Sequence, residues 1–129
     1  MTELPPYARL LGLSEDPQAD GPPVLVMPFA DPVLGRPGFL HGGAISGLLE
    51  MAAIVALRAA LDGEAARIKP VNVTVDFMRG GREHPTRAVG LVTRLGGRVA
   101  NVEAIAWQES RDKPIAKARM NYLLVRNDP

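Results

Sequence analysis

The sequence predicts an α+β fold, with one long central helix wrapped by a curved antiparallel sheet of about five strands. Three observations carry this. The stretch HGGAISGLLEMAAIVAL, His41 to Leu57, is apolar or small almost throughout, and Glu50 is its only ionisable residue beyond His41 at its start. A helix that is apolar on every face belongs in a protein interior. From Val71 onward the chain then alternates with a period of two over successive segments, as half-buried strands do. Finally, the inner faces of those strands are rich in alanine, which lets a sheet curl closely round a helix.

Taken in order, Tyr7–Leu13 reads as a short amphipathic helix after Pro5 and Pro6, and Ser14–Pro22 as a loop. Val24–Phe29 is a short apolar strand, placed at an edge by Pro28. Asp31–Leu40, with two prolines and two glycines, is an irregular connection to the long helix. Asp62-Gly63 stops that helix. Val71, Val73, Val75 and Phe77 alternate with Asn72, Thr74, Asp76 and Met78 in the next strand. Thr86–Leu95 follows, Gly96-Gly97 is a two-residue hairpin signal, and Arg98–Gln108 returns with Ala100, Val102, Ala104 and Ala106 on one face. After a turn through Glu109–Pro114, the last strand sets Ala116, Ala118, Met120, Tyr122 and Leu124 against Lys117, Arg119, Asn121 and Leu123. The four strands after the helix are expected in antiparallel succession.

The 129 residues suit one domain, 1–129, with a single sizeable core. A formal net charge of +1 and the lack of a basic block or aromatic platform argue against nucleic acid as a partner. The absence of cysteine excludes disulfides, thiolate metal sites and a Cys nucleophile, and fits a reducing, cytoplasmic location. MTELPPYARLLGL lacks the basic and apolar regions of a secretory signal. Ala44–Leu61 approaches membrane-span length, but insertion would set Glu50 near the bilayer centre, and a buried core helix fits the same pattern without a membrane.

Glu50 is where chemistry enters. A lone carboxylate among apolar side chains costs several kcal/mol, roughly, unless it is partnered or protonated. Folding offers no reason to accept that, whereas a general base or nucleophile in a cleft does. His41-Gly42-Gly43 stands at the helix start, where unpaired N–H groups and the positive end of the macrodipole lie. Glycines there let a substrate approach the backbone, so those N–H groups can form an oxyanion hole; they also permit a tight turn into a packed helix. Gly42 and Glu50 are eight residues apart, ~12 Å along one helix, so one carbonyl cannot meet both within one chain. If both serve one reaction, Glu50 comes from a second subunit across a two-fold axis.

The HGG, the apolar helix, the acid nine residues after the His and the strand VNVTVDFMRGG together resemble the hotdog-fold acyl-CoA thioesterases. They are most similar to the branch containing phenylacetic-acid-pathway and 4-hydroxybenzoyl-CoA thioesterases. The resemblance runs from about Val24 to Val125. It implies hydrolysis of acyl-CoA to free acid and CoA without metal or cofactor, by homodimers or dimers of dimers. By position it gives Glu50 the catalytic carboxylate, as nucleophile or as general base. It gives the Gly42 N–H, with Gly43 beside it, the role of polarising the carbonyl, and sets His41 at the thioester end. Two positions depart from the pattern: Gly35 stands where many relatives carry Asn or Gln, and Ile54 where the 4-hydroxybenzoyl-CoA branch has Thr. Asn72 or Thr74 is expected to replace the missing hydrogen bond.

Among other candidates, Ser46 lacks the G-x-S-x-G setting of a serine nucleophile and should face the pocket or bond within its helix. Arg79 and Arg82, flanking Gly80-Gly81, are expected to meet CoA phosphates, with Lys117 and Arg119 as further possibilities. His84 reads as a solvated loop residue, Asp76–Arg79 as an ion pair, and Trp107 and Tyr122 as packing residues. Two histidines so far apart form no metal site. A non-catalytic acyl-CoA-binding domain stands as the alternative, with a hydratase behind it.

Overall fold

The computed structural model describes residues 4–126. Helix α1 is Pro6–Leu10 and α2 is Gly42–Leu61; the strands are β1 Ser14–Asp16, β2 Val24–Met27, β3 Ala66–Phe77, β4 Thr86–Leu95, β5 Val99–Trp107 and β6 Ala116–Arg126. A single 3-10 turn, Asp31–Val33, interrupts the connection before α2. Helix α2 starts at His41, whose ring accepts a hydrogen bond from the Gly43 N–H and so caps the first turn. It ends where Asp62 turns left-handed at φ 50, followed by Gly63 at φ 82, the stop that Asp-Gly encodes. By length and composition α2 could cross a membrane, yet most of that apolar surface is buried inside the protein.

The sheet has six strands in the order β1-β2-β4-β5-β6-β3, all pairs antiparallel. This is a hotdog fold, with two differences from the sequence reading. Ser14–Asp16, expected as loop, pairs with β2 and becomes the outer edge, so β2 is interior; Pro28 lies just beyond β2 and therefore does not force it to the edge. The four later strands are also not neighbours in succession. β4, β5 and β6 form a meander, while β3 pairs with β6 and forms the opposite edge. Local alternation specifies a strand's faces, but this non-local pairing leaves no local signal.

The inner face of the sheet presents Ala88, Ala100, Ala104, Ala106, Ala116 and Ala118, all buried. At Gly90 the helix meets the strand backbone directly: a Cβ there would lie 2.5 Å from the Ala52 carbonyl oxygen and 2.8 Å from the Ala56 Cβ. Such an approach is possible only without a side chain between the layers. Helix α1 is fastened by Tyr7, whose ring lies over Gly47, where a Cβ would come within 2.6 Å of it. On the outer face Asn101, Asn121 and Asn72 form a hydrogen-bonded ladder across β5, β6 and β3. The expected Asp76–Arg79 pair does not form; Arg79 donates instead to the Pro114 carbonyl at 3.0 Å. The ion pairs among the described residues are Arg87–Asp16 and Arg126–Glu64.

Candidate active site

Glu50 opens onto a cavity of about 670 Å³. The α2 wall holds Glu50, Met51, Ile54 and Arg58; Ile68 and Pro70 of β3 and Tyr122 of β6 face them, and Leu4, Pro5, Pro6 and Arg9 cover one side. Glu50 is thus half-buried at a cavity wall rather than sealed in the core. That answers the cost argued from sequence, because a carboxylate at a cavity wall keeps access to water or a ligand. Ile54, one turn on, leaves an apolar wall where a hydroxyl was conceivable. Tyr122 is 2% exposed. Burial, and secondarily the nearby charge of Glu50, push its phenol well above the ordinary tyrosine range, so it keeps its proton.

The start of α2 forms a separate cleft of about 390 Å³, where Gly42 lies with Arg36, Phe39, Phe77, Arg79 and Gly80 among its neighbours. The Gly43 N–H is taken by His41 Nδ1 at 2.8 Å. This bond sets the His41 ring as a cap, with Nδ1 as acceptor. The Gly42 N–H has no partner among the described residues, at the terminus where the macrodipole favours negative charge. A Cβ on Gly42 would touch the Phe77 ring at 3.4 Å. Gly35 abuts the same turn, where a Cβ would stand 3.1 Å from the His41 Cα. Backbone proximity therefore accounts for the glycine in place of a polar residue.

The phosphate candidates gather beside this cleft. Arg82 stacks on Phe39 at 4.3 Å from guanidinium carbon to ring centroid, and Arg36, which sequence reading missed, stacks on the same ring at 4.1 Å. Gly80 and Gly81 are fixed by packing: Cβ atoms there would meet Phe39 at 2.9 Å and Leu40 at 2.6 Å. His84 is exposed in its loop, beside Arg82 and Lys113. Lys117 and Arg119 lie on the exposed outer face of β6. Asn72 and Thr74, expected to replace the missing hydrogen bond, line neither the Glu50 cavity nor the Gly42 cleft in this chain. Both lie on the outer face of the sheet, lining a different cleft, with Asn72 bonded to Asn121. A bulge between Pro70 and Asn72 shifts the register there, just past Ile68 and Pro70, the β3 residues that line the Glu50 cavity. Ser46 is half-buried and lines neither of the two clefts. Tyr122 was legible as an inward-facing residue but read only as packing. Among the described residues no cluster of three or more His, Asp or Glu could hold a metal.

One long helix wrapped by a six-stranded antiparallel sheet defines a hotdog protein. Comparison with known proteins agrees. The Thioesterase superfamily family model matches residues 37–115, and the chain belongs to that family. A Chromobacterium violaceum crystal structure is 35% identical, covering 95% of this chain and 85% of its own, with a TM-score of 0.77. A phenylacetic acid degradation-related protein from Ralstonia eutropha shares 22% identity over 95% of this chain and 92% of its own (TM-score 0.81). A Haemophilus influenzae thioesterase shares 16% over 93% and 82% (TM-score 0.81); these last two show likeness of fold. No curated protein matches the chain.

Proposed function

We propose that the protein hydrolyses an acyl-CoA thioester to the free acid and CoA in a site shared by two subunits. The observation that carries this is the pairing of an unpartnered Gly42 N–H with Glu50, each opening on its own cleft of one helix. Set against one another across a two-fold axis, the two clefts would complete each other. Strand β3 supplies the edge for such an assembly. It is paired on one side only and carries exposed Val71, Val73 and Phe77, and an apolar edge strand is a template for another chain.

In the reaction the Gly42 N–H donates to the carbonyl oxygen as negative charge develops on it. Glu50 either removes a proton from water, whose oxygen bonds to the acyl carbon, or attacks that carbon itself and is released by water. In both routes the C–S bond breaks, the water oxygen ends in the acid, and a proton returns to the CoA thiolate. Arg36, Arg79 and Arg82 provide cations for the phosphates of CoA beside the Gly42 cleft.

Release of CoA thiol across a panel of aromatic and aliphatic acyl-CoA substrates tests the reading, with wild type beside Glu50→Ala and Glu50→Gln. Activity that survives in full in both variants removes Glu50 from the mechanism. The absence of a polar side chain at Gly35 favours one second reading, an acyl-CoA-binding domain without turnover. Saturable acyl-CoA binding with no thiol release anywhere in the panel would establish it.

A further inference from the structure

We infer that Tyr122 is a positioning residue for Glu50: its hydroxyl donates to the carboxylate and holds it toward the acyl carbon. The inference rests on the proposed role of Glu50. It starts from the cavity. Of the residues lining it, Tyr122 and Glu50 come from opposite layers, β6 and α2, and meet across the same space. The other side chains around Glu50, Met51, Ile54, Ile68 and Pro70, can donate no hydrogen bond. Arg58 gives an N–H to the Ala66 carbonyl at 2.6 Å, and Arg9 belongs to the cover. Tyr122 is therefore the neutral donor on this wall.

The present partner of the phenol is a poor one. Its O–H points to the Met120 sulfur at 3.2 Å, and a thioether is only a weak acceptor. In this structure the phenol bonds Met120 and not Glu50, so donation to the carboxylate, which accepts far more strongly, requires the Glu50 side chain to swing toward the phenol across the cavity they both line. Burial and the charge of Glu50 both hold the proton on the phenol, so the group stays a donor throughout the working pH range. Donation to one carboxylate oxygen leaves the other for the water or the acyl carbon. No proton is transferred from the tyrosine in this role.

The test is steady-state kinetics of Tyr122→Phe, which keeps the ring and removes only the hydroxyl. Loss of a hydrogen bond to a charged group corresponds to a fall in kcat of roughly tenfold to a hundredfold, with KM and melting temperature close to wild type. Because Tyr122 acts through Glu50, the double variant Glu50→Gln/Tyr122→Phe is expected to be no slower than Glu50→Gln alone. Met120→Leu, which removes the sulfur at nearly constant volume, is expected to keep wild-type kcat. Full activity in Tyr122→Phe beside an inactive Glu50→Gln would overturn the inference while leaving the proposed function intact. Full activity in Glu50→Gln would remove both. A Met120→Leu loss matching that of Tyr122→Phe would show that the Tyr–Met contact is structural, and would also overturn it.

Discussion

Substituting Gly90 by alanine measures how closely the helix and sheet approach one another. The new methyl would lie 2.5 Å from the Ala52 carbonyl oxygen, 2.8 Å from the Ala56 Cβ and 3.0 Å from the Ala53 Cα. Carbon contacts are optimal at about 3.5–4.0 Å, so the layers must separate by several tenths of an ångström or more. None of the three neighbours can yield by rotating a side chain, because two are backbone atoms and the third is the methyl of an alanine. That puts the strain toward the top of the roughly 1–3 kcal/mol typical of overpacked cores. Against it stands the entropy that alanine removes from the unfolded chain, about 0.4–1 kcal/mol in the opposite direction. The net loss is about 1.5–2.5 kcal/mol, or a fall in Tm of roughly 6–10 °C for a chain of this size. Thermal unfolding followed by far-UV circular dichroism reads it directly. Gly97→Ala is the control, since a methyl there meets nothing within 4 Å, and its Tm should stay at or slightly above wild type. A Gly90→Ala protein that melts with Gly97→Ala would refute the direct helix–strand contact.

Three further outcomes are expected. Arg36→Ala and Arg82→Ala each lower the positive charge around Phe39, and should raise KM for acyl-CoA severalfold with little change in kcat, an effect that shrinks in high salt. Val73→Lys puts a charge on the apolar edge strand; if the proposed two-subunit site forms through that edge, sedimentation should show the variant shifted toward monomer relative to wild type, with activity falling in parallel. An active monomer would refute the shared site. Tyr122 has a folded pKa raised above its unfolded value of 10.0, so the folded state holds a proton that the unfolded state loses. Its contribution is complete below pH 10 and falls away as pH rises further. Urea unfolding at about pH 9 and pH 11 should therefore show a smaller alkaline loss in Tyr122→Phe than in wild type.

Much of the fold was legible because its elements are amphipathic in the simplest ways. The apolar run after His41, the Asp62-Gly63 stop and the alternation of β4, β5 and β6 each follow from local chemistry. What escaped depended on distant partners. Ser14–Asp16 is a strand because β2 offers an edge, and its residues SED carry no strand preference of their own. The pairing of β3 with β6 joins segments some fifty residues apart. For the site, the helix start and Glu50 were visible, since an acid in an apolar helix and glycines at a helix start are both local anomalies. Asn72 and Thr74 lie on the outer face because the bulge between Pro70 and Asn72 breaks the alternation that would have kept them on the face of Pro70, and nothing local in the sequence marks that bulge. Arg36 and Tyr122 acquire their roles only from what the fold brings beside them, Phe39 in one case and Glu50 in the other.

The glycine–alanine seam between α2 and β4 also separates two kinds of change that this molecule can tolerate. Along the seam there is no spare volume, so neither helix nor strand can drift without strain. The cavity beside Glu50 is built elsewhere, from Ile54, Ile68 and Pro70 and from the short N-terminal cover of residues 4–9. Shortening a wall residue or recutting that cover alters the space without touching the seam. Breadth of substrate can thus be acquired at the periphery while the scaffold stays rigid, and a library confined to those few positions should yield altered acyl preference among variants that still fold.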